Sequence, residues 1–389
     1  MYESKRYRYR MKMTLFMVLL MVLPLLVGCG PDKSVKYYNL GLEAARRDDY
    51  AEAIRLWNES IRYRSDDPET RYNLGLALFS VKRYREAEEQ LREAVALDPL
   101  DPETHHLLGK TLEEQGMLPE AKLSYESSLN VKPDYVPALI GLASIALKEN
   151  QDKSAENHAT QAVELDPNNL EANLVLSEAY FRNGNLNAAY GQLLSARKAS
   201  PVNQDLLMLL GKVTYARHMY ADALETLAAA RTLGISNDEI FLYLGLANLA
   251  LGYTSEAEKD FRLSLFKNPE NARAWKGLGE TYMKDRKWRE ATESIGKAMQ
   301  LAPDDPEAVL DDAVITLNEG DLSGAAQKLE RLSSRPDAPQ ITNYYRGHAY
   351  LRMGKNTEAR DAFQRFVTTW QGSASLADEA KAIVARLSP

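Results

Sequence analysis

The stretch DPETRYNLGLALFSVKRYREAEEQLREAVALDPLDPETHHLLG, residues 67–109, contains its own repetition. Asp67-Pro68-Glu69 returns as Asp101-Pro102-Glu103, and Leu74-Gly75 returns as Leu108-Gly109, both after 34 residues. Outward from there, Leu-Gly recurs at Leu40-Gly41, Leu210-Gly211, Leu244-Gly245 and Leu278-Gly279, always at a multiple of that period. Ten units of 34 residues therefore run without insertion over 34–373, starting at 34, 68, 102, 136, 170, 204, 238, 272, 306 and 340. A fixed period of this length marks an array of stacked supersecondary units, each too small to bury its apolar face alone.

The pattern inside a unit is helical. Apolar residues fall at positions 4, 7, 8 and 11, one face of a helix rather than the alternation of a strand. Position 8 is small in every unit, from Gly41 and Gly75 to Ala313 and Gly347, and position 20 is alanine ten times in ten, from Ala53 to Ala359. Residues this small allow two helices to approach closely. Position 24 is mostly large (Trp57, Leu91, Tyr125, Leu193, Leu227, Phe261, Ile295, Leu329, Phe363) and fills the space they leave. Asp67, Asp101 and Asp305, each before Pro-Glu, predict N-caps, as do Asn169, Asn203, Asn237 and Asn271. Gly116, Gly184, Gly252, Gly320 and Gly354 mark the turn within a unit. The last stretch, 374–389, holds LADEAKAIVARL and reads as a helix that caps the open end.

These residues resemble the tetratricopeptide repeat across 34–373. The resemblance implies an all-α fold: an α-solenoid, wound as a right-handed superhelix, of ten helix-turn-helix units plus a C-terminal capping helix. It further implies that positions 2, 5, 9, 12 and 13 of each first helix face a concave groove that binds a partner protein or peptide. In units one and two those positions carry Tyr38, Leu42, Arg46, Tyr72, Leu76 and Phe79; unit three places His106 and Lys110 there. Unit seven offers Leu242, Leu246 and Leu249, and unit nine offers Leu310, Val314 and Leu317. The asparagine that some relatives use at position 6 to hold peptide main chain occurs only as Asn39 and Asn73. A basic clamp for a peptide carboxylate is not evident.

Composition narrows the function. The chain has 389 residues, 45% hydrophobic and 26% charged, with a formal net charge of −7. Without a basic excess to neutralise phosphates, nucleic acid is not an expected partner. Cys29 is the only cysteine, which excludes an intramolecular disulfide and a thiolate metal cluster. No phosphate-cradling glycine loop, HExxH or nucleophile elbow is present, so neither an enzyme, a cofactor nor a metal is expected. The five histidines, among them His105, His218 and His348, are scattered through the units. Trp57, Trp275 and Trp288 fall at packing positions.

The N-terminus reads as an address. Lys5, Arg6, Arg8, Arg10 and Lys12 precede an uncharged stretch whose apolar core, Leu15 to Val27, is 13 residues long, a signal-peptide length and short for a span. Leu26-Val27-Gly28-Cys29 resembles the bacterial lipobox, which implies cleavage after residue 28, acylation of Cys29 and a tether over 29–33. Met11 is an alternative start, and an uncleaved signal anchor in the inner membrane is the alternative reading. Gly30 after the cysteine favours outer-membrane sorting. The expected protein is a periplasm-facing lipoprotein scaffold, held to the bilayer through Cys29. By analogy it assists pilus, secretin or outer-membrane-protein assembly, with a polysaccharide-export scaffold as the alternative.

One departure from the repeat is informative. Position 7 is leucine in units one to eight but Asp312 in unit nine and Arg346 in unit ten, while position 27 becomes Leu332 and Phe366. Opposite charges at equivalent places predict an Asp312–Arg346 pair along the stack. The alternative is that the bulky position-27 residues open the last units and let each charge hydrate.

Overall fold

A computed structural model describes residues 32–387, so Cys29 and the expected leader lie outside the described residues. Every regular element among them is a helix. The chain divides between Gly116 and Met117 into two compact units. The first contains α1 (Lys33–Arg46), α2 (Tyr50–Tyr63), α3 (Pro68–Ser80), α4 (Tyr84–Leu97) and α5 (Pro102–Glu114). The second contains α6 (Leu118–Val131), α7 (Val136–Lys148), α8 (Asp152–Leu165), α9 (Leu170–Arg182), α10 (Leu186–Ala199), α11 (Gln204–Ala216), α12 (Tyr220–Thr232) and α13 (Asp238–Leu251). It continues with α14 (Thr254–Lys267), α15 (Ala272–Lys284), α16 (Trp288–Leu301), α17 (Pro306–Glu319), α18 (Leu322–Ser333), α19 (Thr342–Arg352), α20 (Asn356–Thr369) and α21 (Ala374–Leu387).

Within each unit every helix packs on the next, and odd-numbered helices also pack on the next odd-numbered one: α3 on α5, then α7 on α9 and onward to α17 on α19. The first helices of successive repeats thus form one layer, with the second helices behind them. This is an α-solenoid of helical repeats. Among the described residues no helix is long and apolar enough to cross a membrane.

The small and large positions interlock as their chemistry requires. All ten position-20 alanines, Ala53 through Ala359, have no exposed surface. Trp57, Leu91, Leu193, Leu227, Phe261, Ile295, Leu329 and Phe363 are likewise 0% exposed, and Tyr125 is 1% exposed. A Cβ on Gly41 would come 2.5 Å from the Trp57 ring, and one on Gly245 would come 2.8 Å from Phe261. Only glycine leaves room for the ring.

The turns follow a stricter rule than the glycines disclose. Position 15 is left-handed in every repeat: Gly116, Gly184, Gly252, Gly320 and Gly354 have φ between 75° and 100°, and Asp48, Lys82, Asn150, His218 and Arg286 have φ between 57° and 61°. His218 is therefore a turn residue, its Nδ1 2.7 Å from the Tyr220 hydroxyl. Six of the seven expected caps form: the side chains of Asp101, Asn169, Asn203, Asn237, Asn271 and Asp305 accept from the first-turn amides. Asp67 instead accepts from the Thr70 hydroxyl.

α21 begins where an eleventh repeat would start and takes the place of its first helix. Ala380 and Ile383 pack against Phe363 and Phe366, while Lys381 is exposed.

Asp312 and Arg346 do not pair. Asp312 Oδ2 lies 2.6 Å from Lys328 Nζ on α18. Arg346, 5% exposed, donates from Nη1 to Ser333 Oγ at 2.7 Å and sits 3.2 Å from Glu330 Oε2. Both partners come from α18, which lies between α17 and α19 in sequence and packs on both. Each charge therefore reaches a nearer opposite charge than the other repeat offers. Leu332 and Phe366 are 1% and 0% exposed, so they seal the layer instead of opening it.

Candidate partner-binding face

In the first unit, Tyr38 is clamped rather than free. Its hydroxyl donates to Glu69 Oε1 at 2.7 Å and accepts from Asn73 Nδ2 at 3.3 Å, while its carbonyl accepts from Trp57 Nε1 at 3.2 Å. Burial, followed by the hydrogen bond to Glu69, pushes the phenol well above the usual tyrosine range. Asn73 is buried and holds a side chain of the preceding repeat, so it is committed to the fold. Leu42 and Phe79 pack against the local core, and Tyr72 and Leu76 are partly buried. Phe79 contacts Tyr84 at 5.5 Å between centroids and lies beneath Lys110 Nζ at 5.7 Å. His106 is partly exposed, and burial drives its imidazole down to about 4, with Lys110 adding to the shift. Its neighbour His105 is buried, with Nε2 2.9 Å from the Pro99 carbonyl. The structure thus brings Phe79 and Lys110 together, and ties Tyr38 to α3 through Glu69 and Asn73. Arg46 ends α1.

In the second unit the apolar candidates are core. Leu242, Leu246 and Leu249 are 6–8% exposed in the large central cluster, and Leu310, Val314 and Leu317 are 5–7% exposed in a separate one. They do not form an open apolar patch. Successive first helices pack closely enough to cover these six side chains, while Leu174 at position 5 of the fifth repeat stays partly exposed. Trp275 and Trp288 pack partly buried against the central cluster.

Polar and aromatic residues line this face instead. Lys212 on α11 reaches Glu239 Oε1 on α13 at 2.9 Å and lies 5.8 Å from the Phe181 centroid. Burial opposes its charge, but Glu178 and Glu239 hold the ammonium above the usual lysine range. Arg273 on α15 donates to the Tyr243 hydroxyl at 3.2 Å, and Tyr243 meets Tyr215 edge-on at 5.8 Å. Lys276 is engaged by Asp305 Oδ2 at 3.4 Å and by Glu307. Glu280, Asp311 and Tyr345 complete the row. Burial first, with Glu307 and Asp305 nearby, pushes the Glu280 carboxyl up against the pull of Lys276 and Lys284. Burial, then Glu280, raises Asp311 to about 8.

Position 13 carries a structural clamp. Arg182 donates to the Leu147 carbonyl at 2.7 Å, Lys284 to the Leu249 carbonyl at 2.8 Å, and Arg352 to the Leu317 carbonyl at 2.7 Å. Each base caps the negative end of the preceding first helix and links adjacent repeats.

The sequence reading missed Lys212, Tyr215, Tyr243, Arg273, Lys276, Glu280, Asp311 and Tyr345. A signal was present: a base at position 5 or 9 followed by an acid at position 2 of the next unit, as in Lys212–Glu239 and Lys276–Glu307. Among the described residues no cluster of three or more His, Cys, Asp or Glu is placed to hold a metal.

Comparison with known proteins agrees with the repeat. Two tetratricopeptide repeat family models match residues 38–102 and 274–309, and one described as anaphase-promoting complex, cyclosome, subunit 3 matches 148–230. The chain is similar to the peroxisomal targeting signal receptor of Kluyveromyces lactis, 25% identical over 229 residues, covering 56% of this chain and 39% of that protein. The receptor of the same description from Saccharomyces cerevisiae is 26% identical over 223 residues, 55% of this chain and 36% of that one. The chain thus spans less than two-fifths of the length of these relatives, by 39% and 36%. A solved tetratricopeptide repeat protein from Parabacteroides merdae superimposes with a TM-score of 0.52 at 18% identity, covering 64% of this chain and 98% of that one, and shows the shared fold.

Proposed function

The chain is a tetratricopeptide repeat protein, and we propose that it is a non-enzymatic scaffold of the bacterial cell envelope that captures a segment of a partner protein on its first-helix face. The observation that carries this reading is the row from Phe181 and Lys212 through Tyr243, Arg273 and Lys276 to Asp311. It comprises charged and aromatic groups, fixed by neighbours from adjacent first helices. A rigid surface of this kind recognises a peptide without first having to order itself. The curated relatives are named as receptors for a targeting signal, which supports capture of a polypeptide segment.

The envelope address rests on the sequence alone: the basic start, the 13-residue apolar core and the cysteine at residue 29. In this proposal Cys29 is acylated and holds the chain to the bilayer, facing the periplasm. The partner is a component under assembly in the envelope, such as a pilus, secretin or outer-membrane protein. Metabolic labelling with an alkyne fatty acid tests the anchor: the wild-type chain should take up label and Cys29→Ala should not. Equal labelling of both, or normal signal cleavage in Cys29→Ala, overturns it. Affinity capture from detergent-solubilised envelope tests the scaffold. A specific envelope partner lost on altering the first-helix face is expected, and capture indifferent to that face contradicts the reading.

A further inference from the structure

Among the described residues no helix precedes α1, and the outer face of the first repeat differs from its counterpart in later ones. Position 7 is leucine in repeats one to eight; from Leu74 to Leu278 it is at most 5% exposed, whereas Leu40 is 36% exposed. Position 3 is a buried threonine or aliphatic residue in repeats two to ten, from Thr70 to Thr342, but in the first repeat it is the exposed Lys36. Lys33, Lys36, Tyr37 and Leu40 share one stripe of α1 by their helical spacing. The Tyr37 ring stacks on Tyr63 of α2 at 5.7 Å between centroids, and Lys33 Nζ lies 5.3 Å from the Tyr63 centroid. Tyr63 is itself 50% exposed. The carboxylates at this end are already engaged: Asp32 accepts from the Ser34 amide and hydroxyl, Glu59 pairs with Arg62, and Asp66 pairs with Arg64. Lys33 and Lys36 form no ion pair among the described residues. Glu43 and Arg47, which continue the stripe, are exposed and opposite in charge.

A repeat seated on this face would have to bury Lys36, where all later repeats carry threonine or an aliphatic side chain. A lipid headgroup layer makes no such demand, because it leaves an ammonium hydrated while covering its stem and the apolar groups beside it. Tyrosine, too, settles at a membrane–water interface. α1 begins four residues after Cys29, a separation of at most about 14 Å.

We propose that this end face lies in the headgroup layer of the bilayer, with Leu40 and the Tyr37–Tyr63 pair at the interface and Lys33 and Lys36 against lipid phosphates. The proposal rests on the acylated anchor of the proposed function and assigns the surface that the anchored chain presents to the membrane. So short a tether keeps the face at high effective concentration beside the bilayer, and modest headgroup contacts then suffice to fix its orientation.

The test is photo-crosslinking of the full chain in intact cells, with a benzophenone amino acid at Leu40 or Tyr63. Leu100 and Phe266, 74% and 81% exposed on later repeats, serve as control positions. Mass spectrometry should find phospholipid adducts from the first two positions at least fivefold more often than from the controls. Lys33→Glu/Lys36→Glu should lower the Leu40 adduct at least threefold without moving Tm, because both lysines are exposed. Lipid adducts that are absent, equal at all four positions, or indifferent to the charge reversal overturn the proposal. A fall in Tm on charge reversal would make the lysines structural and would also count against it. So would a protein adduct at Leu40 or Tyr63, whether with a second copy of the chain or with another envelope protein. Fatty-acid labelling of the same cells separates the two claims. Label on Cys29 without the lipid adduct leaves the anchor and refutes the face; the adduct without label refutes the anchor and leaves the face.

Discussion

The ring of Phe261 rests directly on the backbone of Gly277 in the following repeat, in space that any Cβ at that residue would enter. The same relation joins Tyr125 to Gly141, where a Cβ would come 2.5 Å from the ring. The rings of Phe261 and Tyr125 at position 24 thus reach beyond their own repeats onto a glycine at position 6 of the next, whereas Trp57 is followed by Asn73 at that position. Helix propensity predicts that Gly277→Ala stabilises by up to about 1 kcal/mol. Overpacking against Phe261 predicts a loss of about 1–3 kcal/mol, and the clash should win. In a Phe261→Leu background the sign should reverse, with Gly277→Ala neutral or stabilising. Chemical denaturation of the four proteins reads this directly, and a stabilising Gly277→Ala in the wild-type background would refute it.

Arg286 holds a left-handed turn at φ 57° that five other repeats give to glycine. A non-glycine residue there costs about 1–2 kcal/mol, partly offset by the greater chain entropy glycine loses on folding. Arg286→Gly should therefore raise Tm by about 1–2 °C, while Gly252→Arg should lower it. A lower Tm for Arg286→Gly would show that the turn carries no strain.

Asp312 and Arg346 answer to different partners, Lys328 and Glu330 respectively. Their replacement by leucine, singly and together, should be additive within about 0.5 kcal/mol. A larger coupling would restore the direct pair that the sequence pattern suggests.

Asp311 makes stability depend on pH. Its carboxyl titrates at about 8 in the folded chain against a usual value of 3.8, so the unfolded chain loses the proton first. Stability contributed by the neutral form is complete below about pH 4 and is lost as pH rises toward 8. Burial is the main cause; Glu280, Glu307 and Asp305 push in the same direction, with Lys276 opposing. Asp311→Asn should therefore raise Tm more at pH 8 than at pH 5. A benefit that is equal at both pH values would show that Asp311 is ionised throughout.

The repeat itself was legible because packing enforces it. Position 20 contacts a helix so closely that only alanine fits, and that constraint is written ten times from Ala53 to Ala359. The caps were nearly as clear, Asp67 excepted, because an Asp or Asn before a helix has few competing roles. The partner face was less legible. Leu242 and Leu310 occupy groove positions by count, but whether a leucine there is open or covered depends on how tightly the next first helix approaches. Asp312 and Arg346 misled for a related reason: equivalent positions in a repeat are not neighbours when the intervening helix, α18, offers nearer charges. The family resemblance places position 13 on the groove face, but Arg182, Lys284 and Arg352 there are inter-repeat caps, a role visible only once the preceding carbonyl is located.

The central claim, that the partner docks on the first-helix layer, is tested most directly by site-specific photo-crosslinking in intact cells. A benzophenone amino acid is placed at Ser144, Glu178 or Glu280 on first helices, and at Leu123, Phe266 or Glu293 on second helices. The account predicts a partner adduct from the first three positions and none from the last three. Adducts confined to the second-helix positions would contradict it.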